Sequence, residues 1–225
     1  MEHPVLFLDF ILGKFNVHIP GHVTYTWLIM LLLVGLGIMA SRRISLVPAG
    51  AQNVMETIIT GLEEFMVEIT GEEGRAFFPF IATLFLFIAS CNLIGLIPGF
   101  YSPTANINTP LSLALCVFVF THYLGIKYHG AKYIKHFLGP IPALAPLFLP
   151  IELIGHSARV LSLTLRLFGN IFGEDLVLIV LIYLAGMFLA PLPMMFLAVF
   201  TSLVQAFVFT LLSMMYFAGS MEHAH

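Results

Sequence analysis

Four strongly polar side chains lie inside one apolar stretch of this sequence, and their types are those that control ion movement. Residues 160–179 read VLSLTLRLFGNIFGEDLVLI, with Arg166 and Asn170 one helical turn apart and Glu174 and Asp175 after them. Charge inside an apolar run is costly and usually marks a path for an ion or a substrate. An arginine stays protonated at any working pH, so it cannot relay protons, but it repels cations and attracts a carboxylate.

Helical spacing predicts that most of these residues share one face. At about 100° per residue, one sector of about 140° contains a set of polar side chains, namely Glu152, His156, Arg159, Ser162, Arg166, Asn170 and Glu174. Three glycines, at positions 155, 169 and 173, border this stripe and would let another helix approach closely. Asp175 falls about 180° from Arg166, so we expect it in a different environment.

The alternative is a purely structural role, in which these groups only pair with one another inside a helix bundle, for example Glu152 with Arg159 and His156. Arg166 does not fit that alternative, because Ser162 and Asn170 occupy the positions one turn away on either side. We therefore expect its partner on another chain. In the last apolar run, Gln205 is either an interhelical hydrogen-bonding group or a functional one.

The composition identifies a polytopic membrane protein. Of 225 residues, 60% are hydrophobic and only 9% are charged, whereas a soluble domain has about a quarter charged residues. The net charge of −3 does not suggest nucleic-acid binding.

Hydropathy predicts an all-α membrane protein with about five transmembrane helices and one interfacial amphipathic helix. The chain is one membrane domain, in which the last two helices are long and strongly tilted. The spans are 23–40, 77–100, 111–126, 151–190 and 194–220, the amphipathic surface helix is 44–75, and residues 1–22 form an outside or interfacial segment.

Basic residues predict the orientation. If the first span ends inside, six basic side chains lie on the cytoplasmic side and only Lys14 lies outside; the six are Arg42, Arg43, Arg75, Lys127, Lys132 and Lys135. This bias predicts an outer N-terminus and a cytoplasmic C-terminus.

Cofactor sites are not indicated by the motifs. Cys91 and Cys116 lie in apolar runs without metal-ligand spacing. The histidines at 122, 129 and 136 recur every seven residues but straddle a predicted helix end, and His223 and His225 have no third ligand, so we expect no metal. No phosphate-binding glycine loop is present, and we expect no catalytic nucleotide site and no cofactor.

Several motifs together resemble subunit a of the F-type ATP synthases of bacteria. They are LSLTLRLFGN with the acidic pair after it, LVQAF in the last run, CNLIGLIPG, and TANINTPLSLAL. The resemblance implies a stator subunit in the bacterial inner membrane that holds two offset aqueous half-channels against a rotating ring of c subunits. It also implies contact with the b subunits of the peripheral stalk and with the lipid bilayer, and no bound nucleic acid or nucleotide.

The resemblance also implies roles for individual residues. Arg166 matches the family's essential arginine, Asn170 the asparagine one turn later, and Gln205 the glutamine facing the arginine. Glu152 matches a carboxylate of the cytoplasmic half-channel and Ser162 a polar residue before the arginine. Asn92 and Asn108 match asparagines near the outer half-channel, with His156 and Arg159 as further channel-lining candidates.

The outer half-channel departs from the family pattern. Asp175 stands where a glutamate is common, and Ala198, Asn106 and Gly95 replace ionisable residues of many relatives. We therefore expect the outer route to depend on Asp175 and Glu174. The alternatives are a secondary transporter or ion channel, for which no internal repeat is found, and a structural anchor, which does not explain an isolated Arg166.

Overall fold

The structure is a computed structural model that describes residues 19–41, 51–97, 99–130, 133, 145–185 and 191–221. Some of the features predicted above fall outside these residues: the N-terminal segment up to residue 18, and the side chains Lys14, Arg42, Arg43, Lys132, Lys135, His136, His223 and His225.

The described residues form six α-helices and two short 3₁₀ turns. The helices are α1 (Gly21–Ser41), α2 (Ala51–Thr70), α3 (Phe78–Ile94), α4 (Asn108–His129), α5 (Ala145–Ala185) and α6 (Pro191–Met221). All except α2 belong to the five segments that are long and apolar enough to cross a membrane. The expectation of an all-α membrane protein is confirmed.

Helix ends differ from the expected ones where local chemistry decides them. Helix α2 ends at Thr70 because Gly71 adopts a φ of 73°, and the Gly71 N–H donates to the Val67 carbonyl at 2.8 Å. Helix α5 begins at Ala145 and includes Pro150, earlier than the expected start at 151. At about 1.5 Å per residue, its 41 residues span about 60 Å, twice the thickness of a bilayer core.

Helix α6 lies at the centre of the bundle and contacts α2, α3, α4 and α5. Its inward side is almost continuously buried, from Ala198 through Phe209 to Phe217. Helix α2 packs on this bundle through Leu62 and Met66, while its glutamates point away or lie at the edge. The amphipathic pattern of α2 therefore produces one face against the other helices.

Contacts between side chains define two ends of the bundle. Lys127 at the end of α4 lies 5.5 Å from the ring of Phe77, which directly precedes α3. His129 Nε2 lies 3.1 Å from the carbonyl of Ser220 near the end of α6. We call this the basic end. The opposite end contains the segment 95–107 between α3 and α4, and we call it the loop end.

A buried polar network fixes the loop end. Asn92 donates from Nδ2 to the carbonyl of Ser202 on α6 at 3.1 Å and accepts from the Thr104 hydroxyl at 2.7 Å. Ser102 Oγ donates to the carbonyl of Cys91 at 2.9 Å. These bonds hold residues 102–104 against α3, which Asn92 also joins to α6, and the Tyr25 hydroxyl of α1 donates to the carbonyl of Gly99 at 3.3 Å.

Close packing explains the glycine at position 95. A Cβ atom there would meet the Cβ of Ser102 at 2.5 Å and its backbone nitrogen at 3.2 Å. The φ of Gly95 is −64°, so the requirement comes from packing and not from backbone strain.

Gly95→Ala should therefore lower the free energy of unfolding in mild detergent by about 1–3 kcal/mol, since the added methyl group overpacks a buried contact. The thermal midpoint should fall accordingly. Gly219→Ala is the matched control, because nothing lies within 4 Å of a Cβ at that helical position. Thermal unfolding followed by size-exclusion chromatography measures both. Equal midpoints for the two variants would contradict the close contact.

Candidate functional site

The middle part of the polar stripe of α5, from Arg159 to Asn170, lies on a face that the rest of the described chain leaves open. Arg159, Ser162 and Asn170 are exposed, whereas Leu163, Leu167 and Ile171 on the other side of the helix are buried. A Cβ at any of the glycines bordering the stripe, at 155, 169 and 173, would meet no atom within 4 Å. Another helix could therefore come close to this face.

Arg166 lies in the middle of the stripe with its charge uncompensated by the described part of the chain. Its Nη2 donates to the Ser162 hydroxyl at 3.3 Å. None of the ion pairs among the described residues includes Arg166. Most donors of the guanidinium therefore have no partner among the described residues.

Asn170 connects the stripe to the last helix. Its Nδ2 donates to Gln205 Oε1 at 2.5 Å. Gln205 is only 4% exposed, and its Nε2 has no hydrogen-bond partner among the described residues. The family resemblance implies that Gln205 faces the arginine, and in the structure its oxygen accepts from the asparagine one turn further along.

The part of the stripe nearest the basic end is partly paired within the chain. His156 Nε2 lies 3.3 Å from Glu152 Oε1. The Arg159 guanidinium lies 5.4 Å from the centre of the Tyr216 ring on α6, which is a cation–π contact. Within the described chain, Glu152 and His156 therefore pair with each other, as the purely structural alternative expects, whereas Arg159 and Arg166 form no ion pair.

Two residues near His156 were not recognised as site residues from sequence. The ring centre of His122 lies 4.8 Å from that of His156, and His122 Nδ1 lies 2.8 Å from the Tyr133 hydroxyl. For His122, the position in the chain could have indicated this proximity. His122 precedes the end of α4 and His156 follows the start of α5, which places both near the same end of the bundle.

A small cavity lies beside this group. It has a volume of about 10 Å³, close to the minimum that holds one water molecule. Its polar lining comes from three helices: Thr121 of α4, His156 and Arg159 of α5, and Tyr216 of α6. The cavity therefore lies where a single water could contact the polar stripe.

The acidic pair divides between two neighbours near the loop end. Glu174 lies within hydrogen-bonding reach of Thr201 on α6. Asp175 lies close enough to Tyr101 to act on it: burial raises the pKa of the Tyr101 hydroxyl, and the Asp175 carboxylate raises that pKa further. The two adjacent carboxylates thus face different elements, as the helical angle of Asp175 indicated.

The two asparagines predicted near the outer route differ in environment. Asn92 is buried, at 2% exposure, and both ends of its amide are hydrogen-bonded to protein groups. Asn108 is exposed at the start of α4, where its backbone N–H donates to Asn106 Oδ1 at 3.1 Å. Asn92 therefore joins α3 to α6, while Asn108 is free to contact solvent or a partner.

Within the described residues, no three His, Cys, Asp or Glu side chains are grouped so that they could hold a metal ion. The polar groups of the stripe are carboxylates, guanidinium groups, a hydroxyl, an amide and the imidazole of His156. These groups can stabilise a charge or exchange a proton, and they lie along one membrane-length helix.

Known proteins resemble this chain over its whole length. The family model for the ATP synthase A chain matches residues 23–218. ATP synthase subunit a of Syntrophobacter fumaroxidans is 59% identical over 239 residues, covering 100% of both chains. Those of Desulfosudis oleivorans and Geobacter sp. strain M21 are 59% and 57% identical, again covering 100% of both chains.

The electrostatic effect of Asp175 on Tyr101 can be tested directly. Asp175→Asn should lower the pKa of Tyr101, because it removes a negative charge that opposes ionisation of the phenol. Titration of ¹³C-labelled tyrosine by NMR in detergent measures the change. Glu174→Gln is the matched control and should leave Tyr101 unchanged. If the pKa of Tyr101 changed equally in both variants, or in neither, Asp175 would have no specific effect on Tyr101.

Proposed function

Because the chain belongs to the ATP synthase A chain family, we propose that it is the stator subunit of the membrane sector that passes protons between two offset half-channels. A rotating ring of c subunits, each with a carboxylate, carries the protons from one half-channel to the other. Arg166 is the gate between them. The observation that carries this proposal is the uncompensated charge of Arg166 on an open, glycine-bordered face.

Arg166 suits a gate for physical reasons. Its proton stays bound at any working pH, so it attracts an ionised ring carboxylate but does not transmit the proton. A direct leak between the half-channels would dissipate about 2.3 kcal/mol per unit charge for every 100 mV of membrane potential. With no carboxylate in the described chain to neutralise it, the guanidinium is available to each passing c subunit.

Ionisable groups on either side of Arg166 support two separate half-channels. At about 1.5 Å per residue, Asp175 lies about 13 Å from Arg166 along α5, and Glu152 lies about 21 Å away in the other direction. Glu152, His156 and Arg159 belong to the half-channel at the basic end. Asp175 and Glu174, with the exposed Asn108, belong to the half-channel at the loop end.

The remaining stripe residues complete the surface for the ring. Ser162 accepts a hydrogen bond from Arg166 and so limits the positions of its guanidinium. Asn170 and Gln205 fix the distance between α5 and α6 at the level of the gate. Asn92 of α3 supports α6 by donating a hydrogen bond to the carbonyl of Ser202.

The charge distribution supports an orientation. Arg75 and Lys127 both lie at the basic end, which we assign to the cytoplasm because basic residues are retained on that side. The N-terminus then faces the periplasm and the C-terminus the cytoplasm of a bacterial inner membrane. The b subunits of the peripheral stalk would contact the cytoplasmic side, through the polar face of α2 or the segment after α4.

Arg166→Ala should abolish ATP-driven proton pumping, because the half-channels would lose the charge that separates them. Acidification of inside-out vesicles containing the whole complex measures pumping. Arg75→Ala is the matched control, since Arg75 pairs with Glu63 and Glu72 at the surface, and it should pump normally. Pumping that survives in Arg166→Ala would refute the gate.

Asp175→Asn should slow proton transfer at the loop end by about tenfold or more, because an amide cannot exchange the proton. The rate of ATP synthesis as a function of outside pH measures this step. Glu174→Gln separates the two neighbours, and we expect it to have the smaller effect because Thr201 already engages Glu174. An unchanged rate in Asp175→Asn would move the role to Glu174.

A further inference from the structure

A group of ionisable side chains at the basic end connects the small cavity to Glu152. His156 is at its centre: it is buried, it lines the cavity, and its Nε2 lies 3.3 Å from Glu152 Oε1. A buried imidazole between a cavity and a more exposed carboxylate has the geometry of a proton carrier, since it can accept a proton on one side and release one on the other.

His122 and Tyr133 fix the surroundings of His156. The His122 ring contacts the His156 ring at a centre-to-centre distance of 4.8 Å, and its Nδ1 lies 2.8 Å from the Tyr133 hydroxyl. The Tyr133 ring occupies the space that a side chain at Gly125 would fill. The glycine at position 125 therefore allows Tyr133 to pack against α4.

We assign Tyr133 as the donor in its contact with His122 and the neutral His122 Nδ1 as the acceptor. Burial raises the pKa of the Tyr133 hydroxyl, and the carboxylate of Glu152 raises it too, against the opposing effect of Arg159. The phenol therefore keeps its proton at any working pH. A neutral Nδ1 of His122 is the acceptor that matches this donor, so Tyr133 favours the uncharged form of His122.

The charges around His156 limit how many protons the group can hold. Within the described part of the chain, the ionisable and charged side chains around it are His122 and Tyr133 from the α4 side, Glu152 and Arg159 from α5, and Tyr216 from α6. Arg159 is permanently positive, so two protonated imidazoles beside it would repel strongly. Keeping His122 neutral leaves His156 as the imidazole that takes the proton.

We propose that His156 is the proton-transfer residue of the cytoplasmic half-channel and that His122, held by Tyr133, is the positioning residue that keeps it available. This inference rests on the proposed function. During ATP-driven pumping, the protonated Glu152 carboxyl gives its proton to His156, leaving a carboxylate and an imidazolium. The imidazolium then releases a proton toward the cavity and the ring carboxylate, and becomes neutral. Synthesis reverses these steps.

The test uses inside-out vesicles containing the whole complex, because their medium contacts the cytoplasmic half-channel. ATP-driven proton uptake is measured as a function of medium pH. His156→Gln should lower the rate by about tenfold or more, since an amide cannot take up a proton. Tyr133→Phe should move the midpoint of the pH profile to lower pH by about half a unit, because His122 then competes for the proton.

A double substitution separates positioning from packing. In a His122→Phe background, Tyr133→Phe should cause no further shift, because Tyr133 acts through His122. His129→Gln is the matched control, because His129 lies on the same helix and near the same end but contacts the carbonyl of Ser220 through its Nε2. We expect its pH profile to match that of the unchanged protein.

Three outcomes would overturn the inference. The first is an assembled His156→Gln complex that pumps at the unchanged rate. The second is a Tyr133→Phe profile that superimposes on that of the unchanged protein, and the third is a Tyr133→Phe shift that persists in the His122→Phe background. The last two readouts remain decisive even if His156→Gln fails to assemble, because Tyr133→Phe removes only one hydroxyl. Failure of the proposed function is distinguishable, since it would appear as pumping that survives Arg166→Ala.

Discussion

An arginine inside an apolar helix needs either an opposite charge or water, because its guanidinium stays protonated at any working pH. In the described part of this chain, Arg166 has a serine hydroxyl as its hydrogen-bond partner and no carboxylate. Glycines on the same face leave room for a second helix. The unsatisfied charge and the open face both suit a partner that brings a carboxylate, and we propose that the ring of c subunits is that partner.

The rest of the bundle keeps this helix in place. Helix α6 is held to α3 by the amide of Asn92, to α5 by the pair Asn170 and Gln205, and to α4 by the contact of His129 with Ser220. Each of these is a polar contact between helices, which in a membrane supplies association where apolar burial does not. The stripe can therefore remain exposed without the helix moving away from the bundle.

Hydropathy and helical periodicity were enough to predict the five long apolar helices and the open polar face, because both depend on regular spacing along the chain. The isolation of Arg166 also followed from the residues one turn away. The start of α5 at Ala145 did not, since Pro150 is tolerated inside the first turns of the helix. The Asn170 and Gln205 pair and the group around His122 depend on how separate helices meet. No spacing within one segment encodes that contact.

The most direct test of the account is the structure of the whole complex at a resolution that shows the Arg166 guanidinium. The carboxylate nearest to Arg166 should belong to a c subunit that approaches across the face formed by residues 155, 162, 169 and 173. A guanidinium paired with a carboxylate of its own chain, or a stripe facing lipid, would contradict it.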